Sequence, residues 1–144
     1  MKFNHRLKQD IERYKDYVIL VEGQNDMLVL KDHGFEKVYA IHKNSVSLRE
    51  RIEQLAPLID KKEKVCILTD LDKRGKKLYG IIKPILQELG IQTDSGFRGL
   101  LIKSKITHIE GLTKFFERVE SITKESNTET GHRKKARSHY SRTW

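Results

Sequence analysis

Apolar residues recur every three or four positions through Phe3, Leu7, Ile11 and Tyr14, which predicts an amphipathic helix over Phe3 to Tyr17. The pattern then switches to Val18-Ile19-Leu20-Val21, a short unbroken run of the kind found in a strand covered on both faces. Glu22 to Asp26 reads as a turn, and Met27 begins a short helix that ends near Gly34. The cycle repeats with a second strand at Lys37 to Ile41. A helix follows, capped by Ser45 or Ser47, with Leu48, Ile52, Leu55 and Ile59 on its inner face. Pro57 falls inside that pattern and is expected to kink or shorten it. Val65 to Leu68 forms a third buried strand. A long helix from about Arg74 to Leu89 comes next, bent by Pro84 and closed by Gly90. Further on, the pattern predicts a weaker strand at Ile91 to Asp94, a short helix at Gly99 to Ile102 and another strand at Ile106 to Ile109. A last helix runs through Leu112, Phe115, Phe116 and Val119. Strands alternating with helices require right-handed crossovers, so the fold class is α/β, with a parallel sheet and helices on both faces.

Length and composition narrow this picture. At 144 residues and 37% apolar content, the chain supports one core but not two. It therefore divides into an N-terminal amphipathic helix (1–16), one α/β domain (17–121) and a tail (122–144). No apolar run approaches the ~20 residues that span a bilayer, and the N-terminus lacks the apolar core of a signal peptide. A single cysteine, Cys66, excludes an internal disulfide and a cysteine zinc cluster. A cytoplasmic protein is expected. The net charge is +9. Residues 122–144 hold six basic and two acidic side chains among Ser, Thr, Asn and Gly, a composition expected to be disordered. Such a tail suits a phosphate backbone, or serves only solubility.

The candidate chemistry lies at the strand ends. In open parallel sheets, ligands bind beyond the carboxyl ends of the strands, at a switch in strand order. The first strand runs into Glu22, and the third into Asp70 and Asp72. If those strands are neighbours, three carboxylates meet in one crevice, where each raises the others' pKa unless a cation intervenes. An all-oxygen set suits Mg²⁺, or Mn²⁺, rather than zinc. The competing reading makes Glu22, Asn25, Asp26, Asp70 and Asp72 ordinary helix caps and first-turn acids. Gly23 and Gly75 beside the two acidic turns permit positive φ or close approach to a phosphate, or are plain turn glycines. His33, His42 and His108 show no metal-ligand spacing, and Cys66 reads as inert core.

Val21-Glu22-Gly23-Gln24-Asn25-Asp26 and Leu68-Thr69-Asp70-Leu71-Asp72-Lys73-Arg74-Gly75 resemble the two signatures of the Toprim domain. That domain is shared by topoisomerases, bacterial-type primases, ribosomal-RNA maturation nucleases, recombination-repair proteins and old-type nucleases. The likeness covers about Tyr17 to Glu120 and extends to the small stand-alone archaeal Toprim proteins. It implies a Rossmann-like sheet of about four strands, Mg²⁺ at Asp70 and Asp72, and Glu22 as general acid or base or a further metal ligand. A chain of this length has no room for a topoisomerase tyrosine domain or for primase template modules. Tyr39 and Tyr79 read as packing residues, so water is the expected nucleophile.

The resulting expectation is Mg²⁺-dependent phosphodiester hydrolysis on RNA or DNA, with Glu22, Asp70 and Asp72 catalytic and Lys73, Arg74 and Arg98 contacting phosphate. The alternative is a non-catalytic, metal-binding nucleic-acid module within a ribonucleoprotein or repair complex, with a protein partner or a second copy. Glu110 is a further orienting or metal-binding candidate, or simply the start of the last helix. A phosphorylatable receiver domain fits poorly, because its acidic pair follows strand one and its acceptor Asp follows strand three, the inverse of the order here.

Overall fold

A computed structural model describes residues 5–126. The elements, in chain order, are α1 (His5–Glu12), β1 (Val18–Val21), α2 (Gln24–Asp32), β2 (Val38–Ala40), α3 (Leu48–Leu55), β3 (Lys64–Ile67), α4 (Lys73–Glu88), β4 (Gln92–Thr93), α5 (Gly96–Lys103) and α6 (Ile109–Ser126). The four strands form one wholly parallel sheet in the order β2-β1-β3-β4. This is the Rossmann-like α/β arrangement expected from the alternation of strand and helix patterns. The order reverses between β1 and β3, which lie side by side with Ile19 opposite Cys66 and Leu20 opposite Ile67.

Both faces of the sheet are covered, as the unbroken apolar strands require. Ile19, Val21, Cys66 and Leu68 point to one face, where they pack with Leu7 and Ile11 of α1, Leu30 of α2, Phe97 and Leu101 of α5, and Leu112 and Phe115 of α6. Val18, Leu20, Val65 and Ile67 point to the other, against Ile52 and Leu55 of α3 and Ile82, Ile85 and Leu86 of α4. The N-terminal helix thus shares the core of the sheet. Ser47 caps α3 through Glu50 N–H at 3.1 Å, and Pro57 ends that helix in a single 3₁₀ turn over Ala56–Leu58. Cys66 is fully buried, and desolvation pushes its thiol up to about 12, which leaves it inert.

The expected strand at 106–109 is absent. Ile106 and Ile109 are buried three residues apart, a helical rather than a strand spacing, and Ile109 opens α6. Ile106 instead closes α5. Its N–H reaches Leu101 O at 2.9 Å and Lys105 N–H reaches Ile102 O at 3.1 Å, with Lys105 at φ 59°. This is the Schellman arrangement. The same pair of bonds ends α2 at Gly34 and α4 at Gly90, both with positive φ. Only at α5 does a lysine take the left-handed position. Replacing Lys105 by glycine is expected to raise the melting temperature by several degrees, equivalent to about 1 kcal/mol of removed backbone strain. Calorimetry on the two proteins checks this. At the C-terminus α6 runs to Ser126, so 122–126 is helical, while the expected disordered tail otherwise lies outside the described residues. No described helix is long and apolar enough to cross a membrane.

Candidate metal centre

The crevice at the carboxyl ends of β1 and β3 collects the predicted acids. Glu22 leaves β1 just before α2, and its side chain is mostly buried at 15% exposure. Its Oε2 accepts the Asp70 N–H at 2.8 Å, which ties the end of β1 to the turn after β3. Glu22 O accepts His42 N–H at 3.0 Å, so the residue is gripped from both neighbouring strands. Its remaining oxygen, Oε1, lies 3.9 Å from an exposed Arg74 guanidinium.

Asp72 caps a helix and also presents an oxygen to the crevice. One oxygen, Oδ1, caps α4 by accepting Gly75 N–H at 2.8 Å, while Oδ2 faces the crevice. That bond from Gly75, followed by the nearby His108, holds the Asp72 carboxyl below its ordinary pKa. Asp70 behaves in the opposite way. Partial burial, then the Glu22 carboxylate, pushes its pKa up, although the Ile109 N–H at the start of α6 hydrogen-bonds to it. Asp26, in the first turn of α2, is also raised, by burial and then by Asp70 and Glu22. Four acids therefore share one region, and two of them resist ionisation there. A divalent cation would relieve that repulsion, and the free Asp70 and Asp72 oxygens suit one.

The turn itself is wound tightly. Thr69 Oγ1 donates to Gly75 O at 2.7 Å. A side chain on Gly75 would place its Cβ 1.9 Å from Asp70 O. Gly75 thus serves close backbone approach, although to the Asp70 turn and not to a ligand. Gly23 has an ordinary extended φ of −127° and open space around it, so positive φ is not its purpose.

Two residues stand differently from their sequence expectation. Arg98 is not an accessible phosphate contact. It is 6% exposed, and its NH1 group donates to Thr69 O at 2.6 Å and to Ile67 O at 3.3 Å. Its NH2 group reaches Asp70 O at 3.3 Å, and its guanidinium stacks over the Tyr79 ring at 4.5 Å. The apolar start of α5 buries Phe97 and carries its neighbour beneath the β3 turn. His108 is a candidate ligand that its spacing concealed. Its Nε2 lies 3.7 Å from Asp70 Oδ2 and 3.5 Å from Asp72 Oδ2. The three residues offer ligand atoms within 4.8 Å of one another. The clip is backbone: Leu71 N–H donates to Thr107 O at 2.8 Å, a contact with no sequence signal. Glu110, by contrast, is exposed and lies near Lys114. Lys73 and Arg74 are exposed at the rim, at the start of α4. His108 also lines a groove of about 580 Å³ together with Lys105, Thr107, Glu110, Lys114 and Arg118.

Comparison with protein families matches the Toprim domain over residues 17–98. Among solved structures, the fold is similar to that of a protein from Aquifex aeolicus. The two are 30% identical over 74% of this chain and 98% of the other, with a TM-score of 0.62. No curated protein matches the chain.

Proposed function

The chain belongs to the Toprim domain family, and on that premise we propose that it hydrolyses phosphodiester bonds in nucleic acid with the help of a divalent cation. A Toprim domain is a metal-binding, nucleic-acid-processing module. The observation that carries the finer reading is the hydrogen bond from Asp70 N–H to Glu22 Oε2, which fixes a carboxylate beside the Asp70-Leu71-Asp72 turn with its other oxygen held, among the described residues, only by the exposed Arg74 at 3.9 Å. Asp70 and Asp72 hold the cation, Mg²⁺ or Mn²⁺, which supplies charge neutralisation for the phosphate. Hydrolysis adds one water across the phosphodiester and breaks one P–O bond. The attacking water's oxygen forms the new P–O bond, Glu22 Oε1 takes its proton, and the leaving oxygen is protonated from solvent. Lys73 and Arg74 at one rim, and Lys105, Lys114 and Arg118 at the other, attract the polyanion by charge. Such contacts make binding weaken steeply with salt.

The test is cleavage of end-labelled structured RNA and of duplex DNA with MgCl₂ or MnCl₂. Asp70→Asn is expected to abolish turnover in either metal. Saturable binding with no product on any of these substrates would overturn the catalytic reading and leave a nucleic-acid-binding module in its place.

A stability measurement accompanies it. A carboxyl whose folded pKa is raised binds its proton more tightly in the folded state, so the metal-free protein loses stability as pH rises through that pKa. Asp70 and Asp26 are both raised. Metal-free Asp26→Asn is therefore expected to melt above the wild type at neutral pH, with the gap closing below the ordinary carboxylate range. Thermal melts across that range in EDTA check the sign.

A further inference from the structure

We propose that His108 is a nitrogen ligand of the cation held by Asp70 and Asp72, with Thr107 as its positioning residue, so that this centre prefers Mn²⁺ to Mg²⁺. The inference rests on the metal-centre reading above and adds to it a ligand that the acidic motifs do not contain. His108 Nε2 stands 3.7 and 3.5 Å from the crevice oxygens of Asp70 and Asp72. Ligands at right angles on bonds of about 2.0–2.1 Å lie about 3 Å apart, so a small inward movement of the imidazole and carboxylates brings all three atoms onto one ion.

The second observation concerns the other ring nitrogen. Nδ1 lies 2.8 Å from Thr107 Oγ1. A hydroxyl accepts as readily as it donates. When it accepts from Nδ1–H, the Nε2 lone pair is left available beside the two carboxylates. Metal-bound imidazoles are commonly fixed through the second nitrogen in this way. The main chain also brings the ring to the acids, through Leu71 N–H to Thr107 O. Two carboxylates and one imidazole form a mixed oxygen and nitrogen set. Mg²⁺ favours oxygen throughout, whereas first-row divalent ions accept imidazole.

Pulsed EPR of the full-length protein loaded with MnCl₂ reads the ligand directly. The wild type is expected to show ¹⁴N coupling from a bound imidazole. His108→Gln and His108→Ala are expected to lose that coupling while still binding Mn²⁺ through Asp70 and Asp72. Titration with MnCl₂ and MgCl₂ separately is expected to show Mn²⁺ affinity falling in both variants with Mg²⁺ affinity almost unchanged. Thr107→Val should weaken Mn²⁺ by roughly tenfold and keep the coupling. Mn²⁺ bound without ¹⁴N coupling, or coupling that survives His108→Ala, overturns the proposal and leaves the carboxylate centre standing. No Mn²⁺ binding, or binding unaffected by Asp70→Asn, overturns the centre itself.

Discussion

Gly75→Ala is expected to lower the melting temperature by about 10 °C and to abolish metal binding, while Gly80→Ala on the same helix raises it. A single methyl group gives opposite signs because the two positions meet different surroundings. At Gly80 an added Cβ has nothing within 4 Å, so alanine gains helix propensity worth roughly 0.5–1 kcal/mol. At Gly75 the same Cβ would sit 1.9 Å from Asp70 O and 2.5 Å from its carbonyl carbon. Both of those are backbone atoms, so no rotamer change relieves the clash. The first turn of α4 must move away from the end of β3, breaking the Thr69 to Gly75 and Gly75 to Asp72 hydrogen bonds. Overpacking of this severity costs about 3 kcal/mol or more, which gives the expected melting shift for a domain of this size. The turn that moves is the one carrying Asp70 and Asp72. Calorimetry and Mn²⁺ titration of the two variants check both signs. A Gly75→Ala protein with wild-type metal affinity would mean the close approach is unimportant to the centre.

That clash also shows how far the sequence reaches. Four of the strands, their parallel direction and the meeting of Glu22 with Asp70 were legible, because apolar runs that end in acids leave few alternatives in an α/β fold. Gly75 was legible as a glycine of the motif, but its purpose was not. Close approach between the third residue of α4 and the Asp70 backbone five residues before it is a local distance without a periodicity. Ile106-Thr107-His108-Ile109 was misread because four residues with apolar ends fit a strand and a helix entry equally well. What decided the matter was Lys105 in the left-handed region, a conformation that a lysine does not advertise. With that segment misread, His108 had no reason to be placed near the acids. A histidine 36 and 38 residues beyond Asp72 and Asp70 is seen beside them only once the chain has folded.

Arg98→Met is expected to lower stability by about 3 kcal/mol while the salt dependence of nucleic-acid binding stays that of the wild type. A basic residue after the fourth strand reads naturally as a phosphate contact. Loss of such a contact would reduce the salt slope by about one and leave the melting temperature alone. The buried position reverses both expectations. Arg98 supplies the donors for carbonyls at Ile67, Thr69 and Asp70, and for the Thr69 hydroxyl at 3.2 Å. Methionine fills the space over Tyr79 but donates nothing. Each abandoned buried acceptor then costs about 1–3 kcal/mol, reduced where water enters. Desolvation lowers the Arg98 pKa, opposed by Tyr79, Glu22 and Asp70, yet a guanidinium keeps its charge throughout the accessible range. A fixed positive charge therefore lies behind the acids, on the side away from solvent. Lysine restores that charge but not the fork that spans several acceptors, so Arg98→Lys should recover only part of the lost stability. Thermal melts of both variants, with binding measured across a salt series, distinguish this internal brace from a surface contact.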